Sequence, residues 1–316
     1  MALGATVVAM LAVTGCSGAA VEESAPTPEQ TVATPATGAP SEPSAAEPRK
    51  RPKPSPTASP SRDPLAELVE GLDPLDEQVI GGDISWPQCP KGMGIPQKRS
   101  QGSPLPTDAA RYVIIGLTNG PGFYPNPCLA EQVAYVRERR LMAAAYAVAS
   151  YPEPASLAEH GDDGPYDAST RLGALANTGY QQAAFNVASM RRAGLRSPLV
   201  WIDVEPVPDF AWSGDREANA AVVRGVARGY QDAGLAIGVY STPYLWSGVV
   251  GDLALGVPEW RAAGPTSIDE ALSRCGSDWV IQGGPAVIGQ WVQDGRDMNV
   301  TCPGTSADLA RWFHQY

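Results

Sequence analysis

The stretch Pro198–Glu205, with the sequence PLVWIDVE, is the most informative part of this chain. Its apolar run is typical of a buried β-strand, and the run ends in two acids, Asp203 and Glu205. Because side chains alternate between the two faces of a strand, residues two positions apart point the same way. We therefore predict that both carboxylates project together from the end of this strand. The alternative is a strand end that enters solvent and carries ordinary surface acids.

A pair of neighbouring carboxyl groups suits the cleavage of a glycosidic bond. One group is protonated and assists the leaving oxygen, while the other is charged and supports the cationic sugar. The chain has only two histidines, His160 and His314, which disfavours a Ser-His-Asp triad or a histidine-rich metal site. A G-x-S-x-G nucleophile motif is also missing from the sequence. We expect no cofactor.

Short apolar segments alternate with longer amphipathic ones from residue 79 to residue 316. This alternation predicts a parallel sheet covered by helices. The length matches a (β/α)₈ TIM-type barrel, which typically takes about 250 residues. We expect such a barrel, with possible modification, and an open doubly wound sheet is the alternative. The strands are predicted at Val79–Ser85, Tyr112–Thr118, Met142–Ala149, Leu199–Glu205, Ala236–Ser241, Glu259–Ala262, Trp279–Gln282 and Ile288–Val292.

Two helical patterns are clearest, at Gly179–Ala193 and Asp215–Ala233. Each is followed by the dipeptide Gly-Leu, at Gly194 and at Gly234. A glycine that caps a helix, followed by an apolar residue, is a common way to end a helix.

Several predicted strands end in polar residues. In a barrel, catalytic groups gather at the carboxyl ends of the strands. We therefore expect the ends of separate strands to build one site. Beyond Asp203 and Glu205, these ends carry Asp83 and Ser85, Tyr240 and Ser241, and Gln290 and Trp291.

The first 78 residues indicate export rather than a folded domain. Residues 1–16 form a short apolar segment that ends at Cys16 in a lipobox-like VTGC, and it is shorter than the roughly 20 residues of a membrane span. We expect lipidation of Cys16 and anchoring on the outer face of a bacterial cytoplasmic membrane. Residues 17–78 are rich in Pro, Ala, Ser and Glu, a composition that predicts a disordered linker.

The charge balance argues against nucleic acid as a partner. The chain holds 34 acids and 23 bases, for a net charge of −11, and such a surface repels phosphate backbones. The expected partners are a cell-wall glycan and, through the lipid anchor, a membrane. We expect a monomer.

Four cysteines follow Cys16 in the chain. An even number in an exported protein predicts two disulfides, and four cysteines allow three pairings. We favour Cys89–Cys128 with Cys275–Cys302. A zinc site is the rival interpretation, although none of these cysteines has C-x₂-C spacing.

Five short motifs, in order along residues 79–316, resemble those of the family 25 glycoside hydrolases. These are lysozymes with a modified (β/α)₈ barrel that cut bacterial wall glycan. The matching motifs are DISWPQ at 83–88, TNG at 118–120, WIDVE at 201–205, GVYST at 238–242, and QW at 290–291 with DMN at 297–299.

This resemblance implies roles for single residues. Glu205 would be the general acid, and Asp203 the charged partner or the group that steers the substrate's acetamido oxygen. Asp83 and Asp297 would line the same pocket and stabilise the developing charge. Sugar-binding side chains would be Tyr240, Trp291, Gln290, Trp86 and Trp212.

The chain departs from the family pattern at two positions. Asn119 stands where family members often carry an acid, and no histidine follows Tyr146. Three functions are therefore weighed. The first is a cell-envelope muramidase-like hydrolase of peptidoglycan or a related wall polysaccharide. The second is a catalytically inactive glycan-binding or scaffolding lipoprotein, and the third is a transglycosylase or a hydrolase of another polymer.

Overall fold

A computed structural model describes residues 78–120 and 122–316 of the chain. The predicted signal peptide, the lipidation site at Cys16 and the linker up to residue 77 lie outside the described residues. Within the described ranges, no helix combines the length and the apolar character needed to cross a membrane.

The described residues form a closed barrel, as predicted. The strand order is β2-β1-β8-β7-β6-β5-β4-β3, and a further pairing of β2 with β3 closes the circle. A short ninth strand pairs with β3 outside the circle. The strands are β1 Ile80–Ile84, β2 Tyr112–Gly116, β3 Met142–Val148, β4 Leu199–Asp203, β5 Ala236–Ser241, β6 Glu259–Ala262, β7 Ala286–Gln293, β8 Arg296–Thr301 and β9 His314–Gln315.

The barrel is a modified form of the (β/α)₈ arrangement. Strands β1 to β7 pair in parallel in chain order. Strand β8 instead follows β7 through a tight turn and runs antiparallel to both β7 and β1. Because β8 runs in the opposite direction to the other barrel strands, its first residues, rather than its last, lie beside the carboxyl end of β1.

One predicted strand was wrong, and one strand was missed. Trp279–Gln282 is not a strand: Ser277–Trp279 form a 3₁₀ turn, and the backbone N–H groups of Ile281 and Gln282 donate to the buried Glu259 carboxylate. The actual eighth strand, Arg296–Thr301, was not predicted. Strand β4 also ends at Asp203, two residues before its predicted end.

The helices cover the outside of the barrel. The predicted caps are confirmed, since Gly194 and Gly234 adopt left-handed φ angles of 69° and 82°. Residues 151–170 include a short helix, Pro154–His160. The helices are α1 Leu129–Glu138, α2 Pro154–His160, α3 Arg171–Ala193, α4 Arg216–Asp232, α5 Pro243–Val250 and α6 Ile268–Ser273.

Apolar side chains fill both sides of the sheet. Outside the barrel, aliphatic residues of the strands pack against the helices in one continuous cluster. Inside the barrel the cluster is aromatic, and Tyr112, Trp201 and Trp260 are each at most 1% exposed. Because the aromatic cluster fills the interior, the site can form only at an end of the barrel.

Both predicted disulfides are present. Cys89 is bonded to Cys128, and Cys275 to Cys302, each with a Cα–Cα distance of 5.6 Å. The pairing leaves none of these four thiols for zinc. The first bond joins the loop after β1 to the residue before α1, so it ties together the segments that follow two neighbouring strands.

Candidate active site

Four acids from distant parts of the chain line one cavity of about 280 Å³ at the carboxyl end of the parallel strands. They are the four that the sequence singled out. Asp83 lies near the end of β1, Asp203 ends β4, Glu205 follows β4, and Asp297 is the second residue of β8. The closed sheet explains this convergence, because the ends of its strands surround a single opening.

Asp83 is the best hydrogen-bonded of the four carboxylates. Its Oδ2 atom accepts hydrogen bonds from Gln290 Nε2 at 3.0 Å and Asn299 Nδ2 at 2.8 Å. Both amides are oriented by further donors: Tyr240 Oη donates to Gln290 Oε1 at 2.8 Å, and Trp260 Nε1 donates to Asn299 Oδ1 at 2.7 Å. The network therefore directs two N–H groups at one carboxylate oxygen.

Burial raises the pKa of Asp83 well above its ordinary range, and the nearby charges of Asp297 and Glu205 raise it further. The hydrogen bonds from Gln290 and Asn299 act in the opposite direction, because N–H donors stabilise the charged form. Asp83 is thus the buried acid of the cavity with the most support for a negative charge.

Asp203 has a different environment. It is 3% exposed, and its Oδ1 atom has no hydrogen-bond partner among the described residues. Burial raises the pKa of Asp203 well above its ordinary range, with further contributions from Glu205 and Asp83. A buried carboxylate oxygen without a donor is costly, so the neutral form of Asp203 is favoured.

Glu205 is only partly buried, at the mouth of the same cavity. Burial raises its pKa, and the charge of Asp297 adds to the effect, whereas the charge of Lys98 lowers it. Its backbone carbonyl accepts a hydrogen bond from Trp212 Nε1 at 3.0 Å. Glu205 thus combines access to a ligand with an increased tendency to hold a proton.

Asp297 completes the set of acids. Burial raises its pKa, and a side-chain hydrogen bond with Gln88 lowers it. Gln88 also accepts a hydrogen bond from the Ser85 backbone N–H through its Oε1 atom, at 2.8 Å. The 3₁₀ turn Trp86–Gln88 therefore connects the end of β1 with the beginning of β8.

Aromatic rings form the cavity wall beneath the acids. Trp260 lies centrally, with ring-centroid distances of 4.4 Å to Tyr240, 5.7 Å to Tyr146 and 6.1 Å to Trp201. Tyr240, Tyr146 and Trp260 all line the cavity. Aromatic faces of this kind suit the apolar faces of sugar rings.

The structure places the sequence-derived sugar-binding residues in two groups. Tyr240, Gln290 and Trp86 line the cavity. Trp291 and Trp212 are not among its lining residues.

Trp291 is 3% exposed and packs with Met298 and Ala271. Because residues next to each other on a strand point to opposite faces, the inward position of Gln290 turns Trp291 outward. Trp212 lines an adjacent groove of about 860 Å³. Neither of these two rings therefore lines the carboxylate cavity.

Four residues that line the cavity or contact its acids were not among the candidates chosen from the sequence: Lys98, Tyr146, Trp260 and Asn299. Asn299 belongs to the DMN motif, so attention to alternate positions of that motif could have found it. In the sequence, Tyr146 and Trp260 cannot be told from aromatic residues of the core. In the structure they differ from core residues because both line the cavity. No sequence pattern marks Lys98, which lies in a Gly- and Pro-rich loop.

Metal chemistry has no evident site here. Within residues 78–120 and 122–316, no group of three or more His, Cys, Asp or Glu side chains is arranged to hold a metal ion. The ionisable groups of the cavity are mainly its four acids. Among them, Asp83 is a hydrogen-bonded carboxylate and Glu205 is a more accessible acid.

Comparison with known proteins gives partial matches. The family model described as Lysozyme-like protein 1 matches residues 172–261. Counting factor 45-1 of Dictyostelium discoideum is 40% identical over 77 residues, which cover 24% of this chain and 25% of that protein. Probable GH family 25 lysozyme 4 of the same organism is 38% identical over 66 residues, covering 20% of this chain and 30% of that protein. The chain thus spans less than a third of either relative.

Among solved structures, a family 25 glycosyl hydrolase from Bacillus anthracis has a TM-score of 0.47 at 14% identity, covering 75% of this chain and 94% of that chain. The barrel assignment itself comes from the strand order and register described above. The matched residues 172–261 run from α3 to β6 and include Asp203, Glu205 and Tyr240. Residues 172–261 are therefore similar to the lysozyme-like family, and part of the chain is similar to a probable family 25 lysozyme.

Proposed function

We propose that this protein is a glycoside hydrolase that cleaves peptidoglycan or a related wall polysaccharide. The observation that carries the proposal is the meeting of Asp83, Asp203, Glu205 and Asp297 on one aromatic-walled cavity. Cleavage of a glycosidic bond requires a proton donor and a negative charge near the anomeric carbon. The cavity offers both within one enclosed volume.

Glu205 is the proposed general acid. Its partial burial and its neighbour Asp297 raise its pKa, so the proton is retained closer to neutral pH, where it can be transferred to the leaving oxygen. Its position at the mouth of the cavity allows contact with a polymer that lies across the opening.

Asp83 is the proposed site of the stabilising negative charge. Two amide donors hold its Oδ2 atom, and hydrogen bonds to a carboxylate favour its charged form. Asp203, which has no donor for its Oδ1 atom among the described residues, is proposed to stay neutral. It would then donate a hydrogen bond to the substrate, in the region where an acetamido oxygen would lie.

The working site is proposed to be the cell envelope. The predicted export signal, the lipobox-like VTGC motif at Cys16 and the proline-rich composition of the predicted linker support a tether between a membrane and a wall polymer. Metabolic labelling with a radioactive fatty acid tests the tether. Labelling that disappears in Cys16→Ala is expected, and unlabelled protein would contradict the anchor.

The catalytic proposal is tested with the full chain and purified wall glycan. We expect new reducing ends, and the two products of each cleaved bond should together gain the mass of one water, which separates hydrolysis from internal transfer. Glu205→Gln is expected to lower the rate by at least about 100-fold, the smaller effect typical of a lost general acid. The matched control is Glu138→Gln, which removes an exposed acid at the end of α1.

Equal rates for Glu205→Gln and Glu138→Gln would show that the proton donor is misassigned. Binding of glycan without cleavage at any pH would instead support the catalytically inactive glycan-binding alternative.

A further inference from the structure

Lys98 is the only basic side chain among the described residues that line the carboxylate cavity. It is partly buried and lies in the long loop between β1 and β2. A lysine beside four acids would ordinarily pair with one of them. Lys98 makes no ion pair within the described part of the chain. Its ammonium group is therefore available to a ligand.

The backbone at Lys98 is fixed by a buried amide. Asn119, which is 1% exposed, accepts a hydrogen bond from the Ile95 backbone N–H through Oδ1 at 2.7 Å, and its Nδ2 donates to the Lys98 carbonyl at 3.0 Å. A third bond, from the Lys98 N–H to the Ile95 carbonyl at 3.0 Å, closes the turn. We call this arrangement the Asn119 clamp.

The clamp requires particular residues at two positions, 119 and 94. An ionised carboxylate at position 119 could accept the Ile95 hydrogen bond but could not donate to Lys98. Gly94 has a φ angle of 102°, and a Cβ atom there would overlap both the Lys98 carbonyl oxygen and Asn119 Oδ1. The loop is thus built around an amide at 119 and a glycine at 94, and both hold Lys98 at the cavity.

The charge of Lys98 acts inside the cavity, since it lowers the pKa of Glu205. Of the deeper acids, Asp203 has a raised pKa that favours its neutral form, and Asp83 Oδ2 already accepts hydrogen bonds from two amide groups. An anionic group of a ligand in the cavity can therefore pair with the ammonium group of Lys98, which lines the same cavity.

We propose that Lys98, held by the Asn119 clamp, binds a carboxylate on the substrate and makes the cavity selective for acidic glycans over neutral ones. An ammonium group donates charge-assisted hydrogen bonds to carboxylates without requiring one fixed geometry. The inference rests on the proposed function for the kind of polymer, and its test reads binding rather than cleavage.

The test uses the full chain carrying Glu205→Gln, so that turnover is removed. The first ligand is wall glycan stripped of peptide, whose lactyl groups are free carboxylates. The second is the same preparation with these carboxylates converted to methylamides. Lys98→Met is expected to weaken binding of the carboxylate glycan about tenfold, the scale of one charge-assisted contact, and to change methylamide binding less than about twofold.

Two further variants serve as controls. Lys98→Arg keeps the charge and should retain the preference for the carboxylate glycan. Lys91→Met removes an exposed lysine of the same loop and should leave both affinities unchanged.

Equal weakening on both glycans, or no weakening on either, would overturn the inference, as would failure of the Lys98 form to bind the carboxylate glycan. Absence of cleavage by the native chain would refute only the proposed function.

Asn119→Asp tests the clamp, because it removes the donor to Lys98. Partial loss of the preference is expected, and an unchanged preference would show that Lys98 needs no clamp.

Discussion

Asp83 and Asp297 are register partners across the antiparallel pair of β1 and β8. Residues directly opposite in such a pair place their side chains on the same face of the sheet. The reversed direction of β8 therefore places a second acid beside the first at one end of the barrel. Had β8 run parallel, as in a regular (β/α)₈ barrel, its second residue would lie at the other end.

The hydrogen-bond network around Asp83 gives the first prediction. Gln290→Met has nearly the same size but removes the donor to Asp83. We expect kcat to fall about 10- to 100-fold, because a hydrogen bond to a charged group contributes about 1.5–3 kcal/mol. Without that donor the pKa of Asp83 rises, so the acidic limb of the pH–rate profile moves to higher pH.

Gln231→Met, an exposed site on α4, is the control for this change. Measurement of kcat over a range of pH values for both variants and the native chain checks the result. A lowered melting temperature with an unmoved acidic limb would mean that Gln290 only supports the fold.

The raised pKa values of the buried acids predict how stability depends on pH. In the folded state Asp203 keeps its proton to a higher pH than in the unfolded chain. Between the ordinary pKa of an aspartate and this raised pKa, the folded state binds more protons, so stability falls as pH rises. Asp203→Asn removes this contribution. It should raise the melting temperature at pH 7, by about 2–4 °C for each kcal/mol gained.

Calorimetric scans of the native chain and Asp203→Asn at acidic and neutral pH measure this effect. The gain should shrink toward the acidic end, where Asp203 is protonated in both states. A variant less stable than the native chain at pH 7 would contradict the neutral, buried state of Asp203.

The buried ion pair of β6 predicts a structural role for Glu259. This residue is fully buried and contacts Arg261 Nη2 at 2.7 Å. Arg261 in turn donates to the carbonyls of Arg274 and Gly276, on either side of a disulfide cysteine. Breaking a buried pair from one side costs about 3–5 kcal/mol.

Glu259→Gln should therefore lower the free energy of unfolding by about that amount. Urea denaturation, with Glu138→Gln as the exposed control, measures the change. A loss no larger than that of the control would show that Arg261 finds another partner.

The disulfide between Cys89 and Cys128 should stabilise the fold substantially. Its sequence separation is 39. In the chain-entropy model, a closed loop of that length lowers the conformational entropy of the unfolded chain, which stabilises the fold by about 4 kcal/mol. The double variant Cys89→Ser/Cys128→Ser should lose about this much stability in non-reducing buffer. Chemical denaturation of this variant and of the native chain provides the comparison. Matching denaturation midpoints would rule out the proposed stabilisation.

Much of the fold could be predicted from the sequence. Strands β2 to β5 are largely apolar runs, as expected for strands that are buried on both faces. Both disulfides and both glycine caps are also confirmed. The four acids found by motif do line one cavity.

The missed features have physical reasons. In β8, polar and apolar residues alternate from Asp297 to Thr301, but Asp297 lines the cavity and Asn299 is buried against Asp83. The segment Trp279–Gln282 is apolar, yet two of its backbone N–H groups bind Glu259 rather than a neighbouring strand. The placement of Lys98 depends on the contact with Asn119, which only the folded chain brings together.

The proposed mechanism of cleavage depends most on the proton held by Glu205. Carbon-13 NMR of the glutamate side-chain carboxyl groups can follow its titration in the full chain, with Glu205→Gln identifying the signal. We expect a midpoint above the ordinary range of a glutamate, because burial and Asp297 both raise the pKa. A midpoint at or below that range would contradict the assignment of Glu205 as the general acid.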